Sequence, residues 1–170
     1  MNATRSAAFA ALLLLLFAAA GSPAAAQDVG IAIGEKPPAA TVQDLDGNDV
    51  DLAPLLAGRP ALVEFWATWC PLCKALEPRL ATAYQKYGND VTFLVIGVGV
   101  GENPRSIRRH LEKNPVSGRV LFDAKGAAVR AFKAPTTSFV AVLDSTGAVR
   151  YTGTGSEQDI EAAIRKGMGR

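Results

Sequence analysis

The only two cysteines of this 170-residue chain stand three residues apart, in the run Trp69-Cys70-Pro71-Leu72-Cys73. Two thiols at that spacing can close and reopen a disulfide, so the chemistry within their reach is thiol-disulfide exchange. As a structural staple the pair is weak. Closing so short a loop contributes about 2 kcal/mol, against about 4.7 kcal/mol for a loop of about 100 residues.

As a reactive pair the cysteines are well placed by the elements around them. They follow Ala61 to Ala67, a mostly apolar run of strand length. They open Cys73 to Tyr87, where Leu76, Leu80 and Tyr84 recur at helical spacing. The start of a helix offers unpaired N–H groups and the positive end of the dipole, and both favour the thiolate, which is the nucleophilic form. Pro71 suits the first helical position, where a missing N–H costs nothing. A dipole contribution of up to about 2 kcal/mol lowers a thiol pKa from about 8.5 to about 7. Reaching about 3.5, as the strongest dithiol oxidants do, takes roughly 7 kcal/mol. Neither Pro71 nor Leu72 has a side-chain donor to supply the rest, which favours a reductant over a strong oxidant.

The remaining chain supplies a scaffold. Ala40 to Gln43 and Val50 to Leu52 flank Asp46-Gly47-Asn48 and predict a small hairpin, followed by a short helical turn at Leu55 and Leu56. Val91 to Val98 reads as a second buried strand, and Asn103-Pro104 as the capped start of a helix carrying Ile107 and Leu111. A short strand at Arg119 to Phe122 and a helical stretch at Lys125 to Phe132 follow. Thr137 to Leu143 and Ala148 to Tyr151 are joined by Asp144-Ser145-Thr146-Gly147 as a second hairpin. Ser156 with Asp159 resembles a capping box opening a last helix with Ile160 and Ile164. Strands alternating with helices, then a closing hairpin and helix, predict an α/β domain: a mixed central sheet flanked by helices on both faces.

Residues 1–26 read as a signal peptide. Arg5 precedes the 14-residue apolar run Ala7 to Ala20, and Ala24-Ala25-Ala26 offers small residues for cleavage. That run spans about 21 Å as a helix, short of a bilayer core of about 30 Å. No cysteine follows it to carry a lipid. Residues 27–35 read as a flexible lead-in and 36–170 as the folded domain. Without Arg5, 17 basic residues face 16 acidic ones. That balance argues against nucleic acid as a partner and against strong membrane-surface attraction. One histidine and two cysteines are too few for a structural zinc site, and no metal site is expected. His110 is assigned no role. Arg105, Arg108, Arg109 and Lys113 read as a solvated helix face.

The run Val63 to Lys74 resembles the active-site strand and helix of thioredoxins, and more closely that of the exported TlpA/ResA-type thiol-disulfide oxidoreductases. Ala134-Pro135-Thr136-Thr137 resembles that family's cis-proline loop, and the hairpin from Thr41 to Leu52 its N-terminal extension. The resemblance covers about Gly34 to Lys166 and implies a thioredoxin fold with an N-terminal β-hairpin extension. It implies that Cys70 attacks, that Cys73 resolves, and that no cofactor is needed beyond a redox-active Cys70–Cys73 disulfide. Glu64 takes the position of the buried acid of thioredoxins. It interrupts an apolar strand, where desolvation would raise its pKa toward that of a general base; the plain alternative is an exposed strand residue. Thioredoxins place a lysine beside that acid, and Val91 to Val98 has none. Trp69 is expected as an exposed lip and Trp66 as core. Pro71, Ala134, Pro135 and Thr136 are expected to meet the substrate, with a cis peptide at Ala134–Pro135. Lys74 either favours the thiolate or is simply exposed.

By that resemblance the partners are protein clients with disulfides, such as apocytochrome c or copper-site assembly proteins, and an upstream membrane or exported thiol donor. The setting is the periplasm. Alternatives open to the same residues are a thiol oxidant, a Cu(I) carrier using two soft thiolates, and a redox-silent adaptor. Peroxidase chemistry fits poorly, since Ala67 stands where peroxidases of this fold place a threonine.

Overall fold

The computed structural model describes residues 29–170, so the expected signal peptide lies outside the described residues. Seven strands form one mixed sheet: β1 (Thr41–Gln43), β2 (Asp49–Asp51), β3 (Ala61–Trp66), β4 (Thr92–Val98), β5 (Arg119–Asp123), β6 (Phe139–Leu143) and β7 (Val149–Gly153). Their order is β2-β1-β5-β4-β3-β6-β7. The central strands β3, β4 and β5 run parallel, while β6, β7 and the β1–β2 hairpin pair antiparallel. Four helices complete the domain: α1 (Pro71–Tyr87), α2 (Pro104–Leu111), α3 (Ala127–Ala131) and α4 (Ile160–Gly167).

The centre of the sheet forms where the chain is most apolar, and every residue of β3 and β6 is buried. Strand alternation divides their side chains between two faces. Leu62 packs with Leu76 and Leu80 of α1, Ile160 and Ile164 of α4, and Val140 and Val142. Trp66, on the same face, meets the His110 ring of α2 edge-on at 5.4 Å. Phe65 points the other way, onto Phe132 and Phe139 at 5.4 and 5.7 Å. The parallel β3–α1–β4–α2–β5 path places α1 and α2 together, as right-handed crossovers require.

Four expectations need correction. The lead-in expected to be loose is tied down from residue 30: Ile31 is buried and its N–H donates to the Phe132 carbonyl, and Gly34 N–H and Glu35 C=O both bond to Val149. Gly30 makes this possible, with φ of +86° and a position where a Cβ would sit 2.6 Å from the Phe139 ring. Tyr84 is half exposed, because a 3.6-residue turn drifts off fourfold spacing; Ala83 and Tyr87 continue the buried stripe. Helix α4 is capped by Asp159, which accepts from Ala162 N–H, and not by Ser156. Gln158 explains the shift: its side-chain amide donates to Ser138 and Gly155 carbonyls and holds that stretch outside the helix. Strand β6 begins at Phe139, because Ser138 at φ +61° breaks the extended run.

Candidate active site

Cys70 and Cys73 are joined as a disulfide at the start of α1, with their Cα atoms 5.3 Å apart. Cys70 is the N-cap of that helix, and its Sγ accepts a hydrogen bond from the Cys73 backbone N–H at 3.1 Å. Pro71 occupies the first turn, as its fixed φ allows. The sulfur thus takes the place of a capping oxygen, and a negative charge formed there would meet a backbone donor and the positive end of a 17-residue helix.

Both cysteines are nearly closed to solvent. They form part of the wall of a cleft of about 360 Å³ that also meets Trp66, Lys74, Glu77 and His110. His110, assigned no role from sequence, comes to the cleft because α2 packs beside α1. Trp69 stands over the site, half exposed, with its indole N–H donating to the Val100 carbonyl at 3.0 Å. Across Trp69 lies a second groove of about 280 Å³, formed with Val98, Val100 and the Ala134 to Thr137 loop. Trp69 therefore divides a cleft of mixed polarity over the sulfurs from a more apolar groove beside Pro135. Pro135 and Thr136 are exposed, as is Pro71.

No cis peptide bond occurs among the described residues, so the Ala134–Pro135 bond is trans, contrary to expectation. The chain reverses instead through left-handed residues on either side, Lys133 at φ +49° and Ser138 at +61°. The Ala134 N–H is taken by the Val129 carbonyl at 2.9 Å and does not face a partner.

Glu64 is fully buried, and neither carboxylate oxygen has a hydrogen-bond partner among the described residues. Its neighbours in the sheet are Val95 of β4 and Val140 of β6, with no cation between them. Desolvation, reinforced by the charge of Glu77, raises its pKa well above the ordinary carboxylate value. The reading of an exposed strand residue is excluded.

Three groups here had no part in the sequence reading. Glu77, one turn beyond Cys73, accepts from the N–H and hydroxyl of Ser117 at 3.0 and 2.9 Å. Its i,i+4 spacing from Cys73 was the available signal. Glu102 is buried and accepts from Thr68 N–H and the Ser106 hydroxyl, both at 2.6 Å, gripping the turn that carries Cys70. Asp123 accepts from Ala127 and Val129 N–H and fastens the start of α3. Among the described residues no cluster of three metal-binding side chains occurs.

A Redoxin family model matches residues 32–166, nearly the whole described chain. The chain belongs to the Redoxin family. It is similar to the thiol-disulfide oxidoreductase ResA of Geobacillus thermodenitrificans, 27% identical over 159 residues that cover 88% of each chain. It is also similar to the sporulation thiol-disulfide oxidoreductase A of Bacillus subtilis, 25% identical over 84% of this chain and 86% of that one. Among solved structures, StoA from Bacillus subtilis superposes with a TM-score of 0.61 and 19% identity, covering 75% of this chain and 95% of that one, a likeness of fold. This Redoxin member is a ResA-like thiol-disulfide oxidoreductase on a thioredoxin fold.

Proposed function

We propose that the protein is an exported reductant that opens disulfides in protein clients. The observation that carries this reading is Cys70 Sγ in the capping position of α1, joined to Cys73, with the buried carboxylate of Glu64 on the preceding strand β3 left without a partner among the described residues. In the dithiol form, Cys70 thiolate attacks a client disulfide, joins one client sulfur and releases the other as a thiolate. Cys73 gives its proton to Glu64 carboxylate and attacks Cys70 Sγ. The second client thiolate leaves, and the two electrons of the Cys70–Cys73 pair have passed to the client.

The return half-cycle uses the same groups in reverse. A donor thiolate attacks Cys70 Sγ, Cys73 departs as a thiolate and is reprotonated through Glu64, and the donor's second thiolate then displaces Cys70 and leaves as the donor disulfide. An oxidising compartment makes that donor obligatory, and a membrane or exported dithiol is the class that suits it. Export itself is read from the leader, with its charged start, apolar run and small residues before Gln27.

The surface around the sulfurs suits protein clients. Trp69, Leu72 and Val100 are all exposed large apolar residues close to the site, an arrangement that favours docking of a polypeptide. Pro71 borders the cleft, and Ala134, Pro135 and Thr136 border the groove where an extended client segment would lie. Apocytochrome c and copper-site assembly proteins are the client classes to assay first. The test is the reduction potential: a value near about −270 mV supports the reductant, and one near about −120 mV makes the protein an oxidant. Cys70→Ser is expected to abolish turnover in the same preparation.

A further inference from the structure

A carboxylate with no solvent contact must still exchange a proton in every catalytic cycle. Glu64 is fully buried, neither of its oxygens is hydrogen-bonded, and its sheet neighbours Val95 and Val140 carry nothing. Strand alternation points Glu64 to the same face as Leu62, which packs with Leu76 and Leu80 of α1, the helix whose buried residues begin at Cys73. Glu77 stands one turn along from Cys73 and opens to the cleft.

We propose that Glu77 is the outlet through which the proton passed between Cys73 and Glu64 reaches solvent. The proposal rests on the reading of Glu64 as the proton acceptor of Cys73. Glu77 is built for this position. Its Oε1 is fixed by the Ser117 N–H and hydroxyl, while Oε2 takes no hydrogen bond among the described residues. It is half-buried and lines the cleft. The other ionisable groups facing the cleft are Lys74 of α1, His110 of α2 and the cysteines themselves.

The two carboxyls also influence one another: Glu77 is the one charge that adds to burial in raising Glu64. Glu77 is itself raised by partial desolvation, and the Ser117 bonds pull it back down. Glu77 therefore holds a proton less tightly than Glu64 does and gives it up to water more readily. When Cys73 resolves a mixed disulfide, Glu64 carboxylate takes its proton. Glu64 then hands that proton to Glu77 carboxylate, which releases it to water in the cleft. No oxidant or reductant enters these transfers.

The reduced full-length protein, mixed with an aromatic disulfide that releases a coloured thiolate, separates the steps. The first thiolate reports attack by Cys70 and the second reports resolution by Cys73. Glu77→Gln is expected to slow the second release about tenfold near neutral pH, within the range by which general acid–base groups act. Added formate, small enough for the cleft, is expected to restore it. Ser117→Ala keeps the carboxylate and its backbone N–H bond but removes the hydroxyl bond that also lowers its pKa, so the limb of the second-release pH profile moves to higher pH.

Unchanged second release in Glu77→Gln, with Glu64→Gln slow, overturns the outlet and leaves Glu64 as acceptor. Slowing of Glu77→Gln that formate does not relieve, or a Ser117→Ala profile superposing on wild type, also overturns it. Normal second release in Glu64→Gln overturns the underlying reading together with the outlet.

Discussion

Two carboxylates at opposite ends of the β6 neighbourhood are handled in opposite ways. Asp144, at the β6–β7 turn, accepts from Thr146 N–H and hydroxyl, from Ala148 N–H and from Arg150 Nε, at 2.6 to 3.1 Å. Glu64, paired in register with Val140 of β6, accepts from nothing. Burial, the largest single influence on Asp144, pushes its pKa upward, the four bonds together overcome it, and the pKa settles at about 2. Glu64 goes the other way. The turn carboxylate is committed to one protonation state because its task is shape; the strand carboxylate is left uncommitted because its task is a proton.

The sharpest way to break that contrast is to neutralise each group and read rate and stability together. Glu64→Gln is expected to lower the disulfide reduction rate about 100-fold, the lower end of what a positioned acid or base contributes, while the fold is kept. Asp144→Ala is expected to reverse the pattern. It removes hydrogen bonds to a charged group, costs about 1–2 kcal/mol in denaturant unfolding, and leaves the rate per folded molecule near wild type. Equal rate losses in both variants would erase the distinction.

The next effect is in stability against pH. Glu64 has a folded pKa above its unfolded value of 4.5, so its contribution to stability is fully present below pH 4.5 and is lost as pH rises through the folded pKa. Glu64→Gln should therefore gain in Tm relative to wild type as pH rises from 4.5 through the raised folded pKa, and show no such trend below. A constant Tm difference across that window would mean that Glu64 titrates as an ordinary carboxylate.

Smallest is the acid limb of the turn. Asp144 has a depressed pKa, so its contribution is present above the unfolded value of 3.8 and disappears as pH falls toward about 2. The Asp144→Ala penalty, followed by denaturant midpoint, should shrink across that window and persist unchanged above it.

What the sequence disclosed and what it hid separate along a physical line. Cys70, Pro71 and Glu64 were legible because their meaning is local: a helix start, a fixed φ, a charge inside an apolar strand. The strands and most helix starts were legible for the same reason, as with Asn103 capping α2 through Arg105 and Ser106 N–H. Ser117 reaching Glu77 and Glu102 reaching Thr68 join residues 40 and 34 positions apart, and no spacing in the chain encodes such contacts. His110 came to the cleft in the same way, by the packing of α2 beside α1. The lead-in misled because Gly30, Gly34 and two prolines look like a loop, while Ile31 carries the anchor. The Ala134–Pro135 bond misled because the reversals were supplied by Lys133 and Ser138, residue types that give little warning of a left-handed backbone.

The empty surroundings of Glu64 have a bearing on how such a chain could be altered. A laboratory selection for heat tolerance alone, with no demand for turnover, would favour replacing this acid by a hydrocarbon side chain of similar volume early on. Retention of an acid at position 64 in descendants of that selection would then serve as a record that chemistry was still being screened.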